Sequence, residues 1–390
     1  MTTPHPFHVM IKPVGPRCNI NCSYCYYLEK EKLYPDEKKF RISDEVLEAY
    51  VRGLIDAQVK AGLSEVPFAW QGGEPTILGR EFFERVVALQ KEHCPPDVRI
   101  ENSLQTNGIL IDDDWAGFFA REKFLIGISI DGPKPIHDRY RRDRAGRPTF
   151  DMVMKGLDAL KRAGVEFNIL TAVHRANADK GKEIYRFLRR LGTQHLQFIP
   201  IVERRAPNGD LATAPQIDDD PKNAVTEWSV SPKAYGKFLC DVFDLWHRRD
   251  IGSTFVQFFE NQVGMWMGWP ASLCVFAETC GRGLAMEHNG DLYACDHFVY
   301  PEYRLGNILA TDIGALAWSR HAEDFGNAKR DALTAQCRRC KFRFACNGGC
   351  PKHRILRSID AEPRHNYFCE SNTIFFRHAG DRLRDVALRL

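Results

Sequence analysis

A chain of 390 residues is long enough for two or three domains, at least one of them with a substantial core. Its 44% apolar and 27% charged residues exclude a disordered polypeptide, and 54 Lys and Arg against 51 Asp and Glu exclude a polybasic binder of nucleic acid or of an anionic membrane surface. No apolar run reaches the roughly eighteen residues of a membrane span, and the start, Met1 to His8, lacks the basic segment and apolar stretch of a secretory signal. The expectation is a cytoplasmic protein with neither membrane nor nucleic acid as partner.

From the N-terminus to about residue 205, short apolar β-rich runs alternate with amphipathic helical patterns, the rhythm of a parallel sheet built from βαβ units. Strands are predicted over 8–12, 66–70, 99–105, 124–130, 166–172 and 195–201, and six such strands suit a partial barrel. Between them, Ser43 reads as an N-cap with Asp44 and Glu45 in the first turn, and Val46, Tyr50 and Leu54 recur at helical spacing. Ile184, Phe187, Leu188 and Leu191 form a second stripe that Gly192 stops. These residues belong to the core.

In a parallel α/β barrel, chemistry gathers where strands end and loops begin, and three strand ends carry polar motifs. The second strand runs into Gln71-Gly72-Gly73-Glu74-Pro75, where paired glycines permit either a tight turn or a close backbone approach to a ligand, and Glu74 offers a carboxylate to an ammonium group. The third ends in Gln105-Thr106-Asn107-Gly108 and the fourth in Ser129-Ile130-Asp131-Gly132; Asn or Asp before Gly also serves simply to set a turn. The run from Arg139 to Arg144 reads as a solvated face.

Beyond residue 203 the periodicity lapses until about 230, which predicts an irregular, substrate-facing loop. Helical segments follow over 231–249 and 256–267, rich in core aromatics such as Trp246, Phe258, Phe259 and Trp266, with Trp269 just beyond. Asn289-Gly290 between apolar flanks signals a hairpin. The division expected is 1–230 for the barrel, 231–269 for a helical linker and 270–390 for a cysteine-rich domain with a C-terminal helix.

Thirteen cysteines are unusual in a reducing compartment, where disulfides are disfavoured and clustering usually reflects metal ligation or catalysis. Cys18, Cys22 and Cys25 stand alone as a group of three. A closed metal site wants four protein ligands, so three leave a position for something other than protein, unless His5 or His8 completes a zinc knuckle. A c-type haem is excluded because Tyr26 follows Cys25. Eight further cysteines, Cys274, Cys280, Cys295, Cys337, Cys340, Cys346, Cys350 and Cys369, supply enough thiolates for two complete four-ligand sites, and spacing does not choose between zinc and iron-sulfur. Cys94 and Cys240 fit no ligand pattern and are expected to be buried and inert.

The run Cys18-Asn-Ile-Asn-Cys22-Ser-Tyr24-Cys25, placed after an apolar strand, resembles the signature of the radical S-adenosylmethionine superfamily. The resemblance implies an α/β fold, a partial (β/α)6 TIM-like barrel of the radical SAM type, with these cysteines holding a 4Fe-4S cluster that chelates S-adenosylmethionine. By the same likeness Gly72, Gly73, Glu74, Ser129 and Asp131 bind that cofactor, and Arg141, ten residues past Asp131, holds its carboxylate, with Arg142 the neighbour most easily confused with it. A bidentate guanidinium suits that task. The later cysteines resemble the SPASM extension, which implies two auxiliary 4Fe-4S clusters in crossed order: Cys274, Cys280, Cys295 and Cys350 for one, Cys337, Cys340, Cys346 and Cys369 for the other.

Within the extension, Cys295 is followed by Asp296; Tyr26-Tyr27 follows the third signature cysteine and Gln71 precedes the glycine pair. In these features the chain is similar to the anaerobic sulfatase-maturating enzymes, and the likeness spans residues 8–375. It implies oxidation of an active-site Cys or Ser of a sulfatase to Cα-formylglycine, with Asp296 as the base and Tyr27 and Gln71 against the substrate. The partners implied are an unfolded or nascent sulfatase polypeptide carrying Cys/Ser-x-Pro-x-Arg and an electron donor such as flavodoxin or ferredoxin. Two alternatives stay open: a radical maturase forming thioether or carbon-carbon crosslinks in a ribosomal peptide, and a zinc-stabilised binding scaffold. The early first strand, with no leader-recognition domain before it, favours the sulfatase reading over the first.

Overall fold

Short apolar runs, buried over most of their length, set the strands. In the computed structural model, which describes residues 4–220 and 222–389, the six expected strands lie at His8–Lys12, Glu65–Trp70, Arg99–Thr106, Leu125–Ser129, Phe167–Val173 and His195–Pro200. Met1 to Thr3, from the segment read for a signal, Pro221 of the expected loop and Leu390 at the end of the expected last domain lie outside the described residues. The chain forms two compact units, each gathered from separate stretches of sequence.

The first unit takes the chain up to Ser129, then Arg141–Phe167 and Gly281–Asn327. Its first four strands pair in parallel and in sequence order: Met10 lies opposite Ala69, Val66 opposite Ile100 and Leu104 opposite Ile126. The free side of His8–Lys12 is covered by Gly283–Glu287, also parallel, with Val9 opposite Leu284 and Ile11 opposite Met286. That strand turns at Asn289-Gly290 into antiparallel Asp291–Tyr293, which pairs in turn with Arg304–Asn307. Gly290 sits at φ +85°, a left-handed turn position that favours glycine.

Helices bury the sheet of this unit. Asp44–Lys60 begins at Ser43, whose Oγ accepts from the Val46 N–H at 3.2 Å, and its Leu47, Tyr50 and Leu54 are fully buried. They join Phe68, Trp70, Phe83, Phe118 and Phe119 in one apolar cluster. The polar edge of Trp70 is satisfied inside it, because Nε1 donates to Asn102 Oδ1 at 2.9 Å.

The second unit comprises Ile130–Tyr140, Asn168–Cys280 and the chain from Ala328. Ile169 pairs with Leu196 and Val173 with Pro200 in parallel, and Phe255–Val256 adds beside His195. The helices Pro232–Arg249 and Cys369–Ala387 pack through Phe243 and Phe375, rings 5.5 Å apart, and through Asp244 and Arg382 at 2.8 Å. Gly236 lets the backbones close up: a Cβ there would lie 3.0 Å from Ser371.

Two expectations change. The stretch 203–230 is not wholly irregular, since Arg204–Arg205 pairs antiparallel with Ala224–Val225, too short a ladder to leave a period in the sequence. Cys240 is buried, but Cys94, just past the helix Arg80–His93, is only half-buried, and its thiol donates to the Val98 carbonyl at 3.1 Å. None of the described helices is long and apolar enough to cross a membrane.

Candidate active site and cysteine centres

The signature cysteines lie on the loop that leaves the strand His8–Lys12, and the glycine pair builds the floor of that loop. Gln71 N–H donates to Ile11 O, Gly73 N–H to Gly15 O and Glu74 N–H to Arg17 O, each at 2.9 Å. A Cβ on Gly73 would stand 1.8 Å from the Arg17 carbonyl oxygen, and Gly72, at φ +125°, faces the Gly15 carbonyl. The two glycines are therefore needed by the backbone that carries Cys18, whatever ligand they also approach.

Glu74 is fully buried. Its Oε1 accepts from Thr76 N–H at 3.1 Å, from Thr76 Oγ1 at 2.6 Å and from Thr106 Oγ1 at 2.8 Å, while Oε2 accepts from Asn107 N–H at 2.7 Å. Burial raises its carboxyl above the ordinary value and these hydrogen bonds pull it back. Asn107 then reaches the cysteine loop, donating from Nδ2 to Asn19 Oδ1 at 2.7 Å and to Cys18 Sγ at 3.7 Å. Burial pushes the Cys18 thiol up to about 12, with Glu74 and Cys25 adding to the rise and the Asn107 amide opposing it. Ser129, at the end of the fourth strand, accepts from Gln105 Nε2 at 3.2 Å.

The arginines are told apart by burial. Arg141 is buried, with its guanidinium over the Tyr24 ring at 5.6 Å, whereas Arg142 is exposed and its Nη1 donates to Gly146 O within a turn. Arg144 steadies the loop from outside, Nε to Cys18 O at 2.8 Å. In the second unit Asp131 is fully buried, accepting from Ala172 N–H at 3.0 Å, with His174 Nε2 3.9 Å from its other oxygen.

Asp296 opens a short 3-10 turn directly after Cys295 and is held from two sides. Lys12, at the end of the first strand and almost wholly buried, ion-pairs with its Oδ1, and Tyr26 OH donates to its Oδ2 at 2.7 Å. Burial alone would raise the Asp296 carboxyl, but Lys12 and His297 beside it and the hydrogen bonds from Lys12 and Tyr26 outweigh that and hold it far below the usual carboxylate range. It is ionised at neutral pH. Tyr27, in contrast, turns away: its hydroxyl donates to buried Glu287 at 2.5 Å, and its ring lies 4.5 Å from Lys12 Nζ.

Sequence reasoning singled out Tyr27 and Asp296 but missed Lys12, Glu287 and the contact made by Tyr26. One signal for Lys12 was available: a lysine ending an apolar strand at the face where loops begin.

The later cysteines of the second unit feel one another electrostatically. Cys280 is pushed up to about 12, chiefly by burial, with Cys350 and Cys274 adding and Lys329 opposing. Cys369 is pushed up to about 12 by burial and by Cys346, Cys337 and Cys340. Two buried cations stand among these thiols. Lys329 donates to the carbonyls of Cys274, at 2.7 Å, and Val275, at 3.1 Å; burial lowers its pKa and Cys280, Cys350 and Cys274 push it back up. Arg354, lowered by burial, is pushed up by Cys337, Cys350, Cys280 and Cys346. Cys295 belongs to the first unit.

Among the described residues no three Cys, His, Asp or Glu side chains enclose a single metal ion. The donor chemistry nevertheless suits iron-sulfur ligation: soft thiols in groups, an amide N–H directed at one sulfur, and buried cations placed to stabilise thiolates.

A sequence model described as the radical SAM superfamily matches residues 13–188, and one described as an iron-sulfur cluster-binding domain, SPASM, matches 274–341. The fold and the two cysteine-bearing segments thus define a radical SAM protein with a C-terminal iron-sulfur extension, the α/β class expected. The chain is 41% identical to a serine-type anaerobic sulfatase-maturating enzyme of Bacteroides thetaiotaomicron, over 96% of this chain and 89% of that one. It is 34% identical to a cysteine-type anaerobic sulfatase-maturating enzyme of Clostridium perfringens, over 98% of each. A solved structure of native anSMEcpe with bound AdoMet and Kp18Cys peptide superposes with a TM-score of 0.83 at 33% identity, covering 99% of this chain and all of that one. The chain belongs to the anaerobic sulfatase-maturating enzymes.

Proposed function

We propose that this chain oxidises the target Cys or Ser of a sulfatase polypeptide, within a Cys/Ser-x-Pro-x-Arg motif, to Cα-formylglycine. The observation that carries the reading is the clamp on Asp296: the residue after Cys25 and the lysine ending the first strand both fix the carboxylate that follows Cys295. The arrangement holds an ionised acceptor within the fold region that carries the signature cysteines, which a zinc scaffold has no need of.

Cys18, Cys22 and Cys25 are the residues that would hold the S-adenosylmethionine-binding 4Fe-4S cluster, with Gly72, Gly73, Glu74, Ser129, Asp131 and Arg141 toward the cofactor. Cys274, Cys280, Cys295 and Cys350, and Cys337, Cys340, Cys346 and Cys369, would hold two auxiliary clusters. The functional division that goes with this reading is 1–230, 231–269 and 270–390. When bound, the first cluster and S-adenosylmethionine supply a 5′-deoxyadenosyl radical that takes a hydrogen atom from the target Cβ.

The protein's own part is the proton. Asp296 accepts the thiol or hydroxyl proton of the target as the carbon radical gives up its remaining electron, which an auxiliary cluster would take up; a Ser target is then the aldehyde, and for a Cys target water hydrolyses the thioaldehyde with release of hydrogen sulfide. A carboxylate held so low is a weak base, but the proton on a substituent of an oxidised carbon radical is far more acidic than that of a resting thiol or alcohol, so a strong base is not required. Lys12 keeps Asp296 ionised until then, and Tyr26 fixes which oxygen faces the substrate. An anionic cluster bound beside Asp296 would push its carboxyl up, and the Lys12 ammonium paired with it would oppose that push. Gln71, half-buried beside the glycine floor, and Tyr27 complete the peptide side. A flavodoxin or ferredoxin in the cytoplasm would supply the priming electron.

The test is anaerobic incubation of the reconstituted, reduced chain with S-adenosylmethionine and two sulfatase-derived peptides, Cys-x-Pro-x-Arg and Ser-x-Pro-x-Arg, followed by mass spectrometry. A formylglycine mass on either peptide is the expected result. Formation of 5′-deoxyadenosine with both peptides unchanged contradicts the substrate assignment.

A further inference from the structure

Asn107 makes more bonds than a turn requires. It follows the strand Arg99–Thr106 and is buried. Its Oδ1 accepts from the Ile109 N–H at 3.1 Å, which is all that an asparagine before glycine needs to shape its turn. Its Nδ2 carries two further N–H groups, and these go to the cysteine loop: one to Asn19 Oδ1 at 2.7 Å, the other to Cys18 Sγ at 3.7 Å. Gly108, at φ +78°, leaves no room for a side chain, since a Cβ there would lie 2.8 Å from Ile128 Cδ1, so the turn that aims this amide is closed in from behind.

Glu74 explains why the amide stays aimed. Three of its four hydrogen bonds fill Oε1 and the fourth, on Oε2, comes from the backbone of Asn107 itself. A fully buried carboxylate with both oxygens engaged is a bracket: it ties the glycine floor under the cysteine loop to the residue that touches Cys18.

We propose that Asn107 is a positioning residue that orients and polarises the Cys18 sulfur, held in place by Glu74, and that the pair thereby sets the reduction potential of the group bound at Cys18. The inference rests on the reading that Cys18, Cys22 and Cys25 hold a cluster. An N–H directed at a ligating sulfur withdraws negative charge from it and favours the more negative, reduced form, so the bond raises the potential. Reduction here is the gain of one electron from an external reductant such as dithionite, with no bond made or broken.

The experiment is a redox titration of the reconstituted full-length chain followed by electron paramagnetic resonance, using the signal that changes on addition of S-adenosylmethionine to mark the Cys18 site. Asn107→Asp keeps the oxygen that Ile109 needs and puts an acceptor where the donor was; Asn107→Ala removes the side-chain amide altogether. Both are expected to lower the midpoint, Asp more than Ala, by at least the equivalent of a tenfold change in the one-electron equilibrium, about 59 mV. Asn19→Ala keeps the Asn107 donor to sulfur and loses only an acceptor, since Asn19 Oδ1 lies 3.7 Å from Cys18 Sγ, so it is expected not to lower the midpoint.

Unchanged midpoints in both Asn107 variants overturn the proposal, and so does an equal shift in Asn19→Ala, which would mean a general loosening of the loop. Loss of the responsive signal from both Asn107 variants, with iron retained by the later cysteines, overturns it in favour of a role in assembly. A wild-type chain with no responsive signal at all overturns the cluster reading itself, an outcome distinct from the others.

Discussion

Tyr26 donates a hydrogen bond to Asp296 across 270 residues of sequence, and each of the two directly follows a cysteine of a different group. Local sequence cannot encode such a bond. It arises because the first strand, which delivers Lys12 and the loop bearing Tyr26, pairs in parallel with Gly283–Glu287, which leads through its hairpin to Cys295 and Asp296. One strand pairing thus brings the acceptor and both of its partners together.

Removing only the Tyr26 hydroxyl isolates the orienting bond. Tyr26→Phe is expected to keep the fold and to lose about 1.5 to 3 kcal/mol at most, the range for a hydrogen bond to a charged group. Formylglycine formation should fall by roughly tenfold or more, while 5′-deoxyadenosine formation continues at near the wild-type rate. Mass spectrometry of peptide and nucleoside from the same reaction measures both.

Lys12→Met leaves the half-buried Asp296 carboxylate without its cation. Breaking a fully buried pair from one side costs about 3 to 5 kcal/mol, and partial access to solvent brings the cost here below that range, so the denaturation midpoint should still drop. Lys12→Met combined with Asp296→Asn should be less destabilised than the sum of the single variants, because the stranded charge is gone. Additive losses would show that the two side chains do not act as a pair.

The glycine floor makes a steric prediction. Gly73→Ala would set its Cβ inside the Arg17 carbonyl, so the loop bearing Cys18 must shift. Iron bound by the signature cysteines is expected to fall severely, with iron at the later cysteines retained, as read by iron analysis of the reconstituted variant against a Cys18→Ala control.

Lys329 offers a parallel test in the second unit. Lys329→Met removes a buried cation from among Cys274, Cys280 and Cys350 and leaves backbone carbonyls without their donor. Thiolates there lose stabilisation, so iron at the later cysteines should decrease while the S-adenosylmethionine-responsive signal persists. Iron content and resonance spectra separate the two.

The features legible in the sequence are those set by neighbours along the chain. Apolar β-rich runs between helical patterns marked all six parallel strands to within a residue or so at each end, Ser43 declared its helix, and Asn289-Gly290 its hairpin. Cysteine spacing and the motifs at strand ends were equally local. What stayed hidden depends on pairings between distant segments. Lys12 looked like the polar end of a strand until Asp296 arrived opposite it, and nothing near Tyr27 in the sequence announced that its hydroxyl would donate to Glu287. The two-residue ladder at Arg204 and Val225 was invisible because its strands are shorter than any period.

The most direct test of the account is Asp296→Asn, assayed for two products in one anaerobic reaction with the sulfatase peptides. An amide cannot take the proton but preserves the shape of the site. The prediction is that 5′-deoxyadenosine still forms from S-adenosylmethionine while formylglycine falls by about two orders of magnitude or more. Wild-type formylglycine yield per 5′-deoxyadenosine in this variant would contradict the assignment of Asp296 as the proton acceptor.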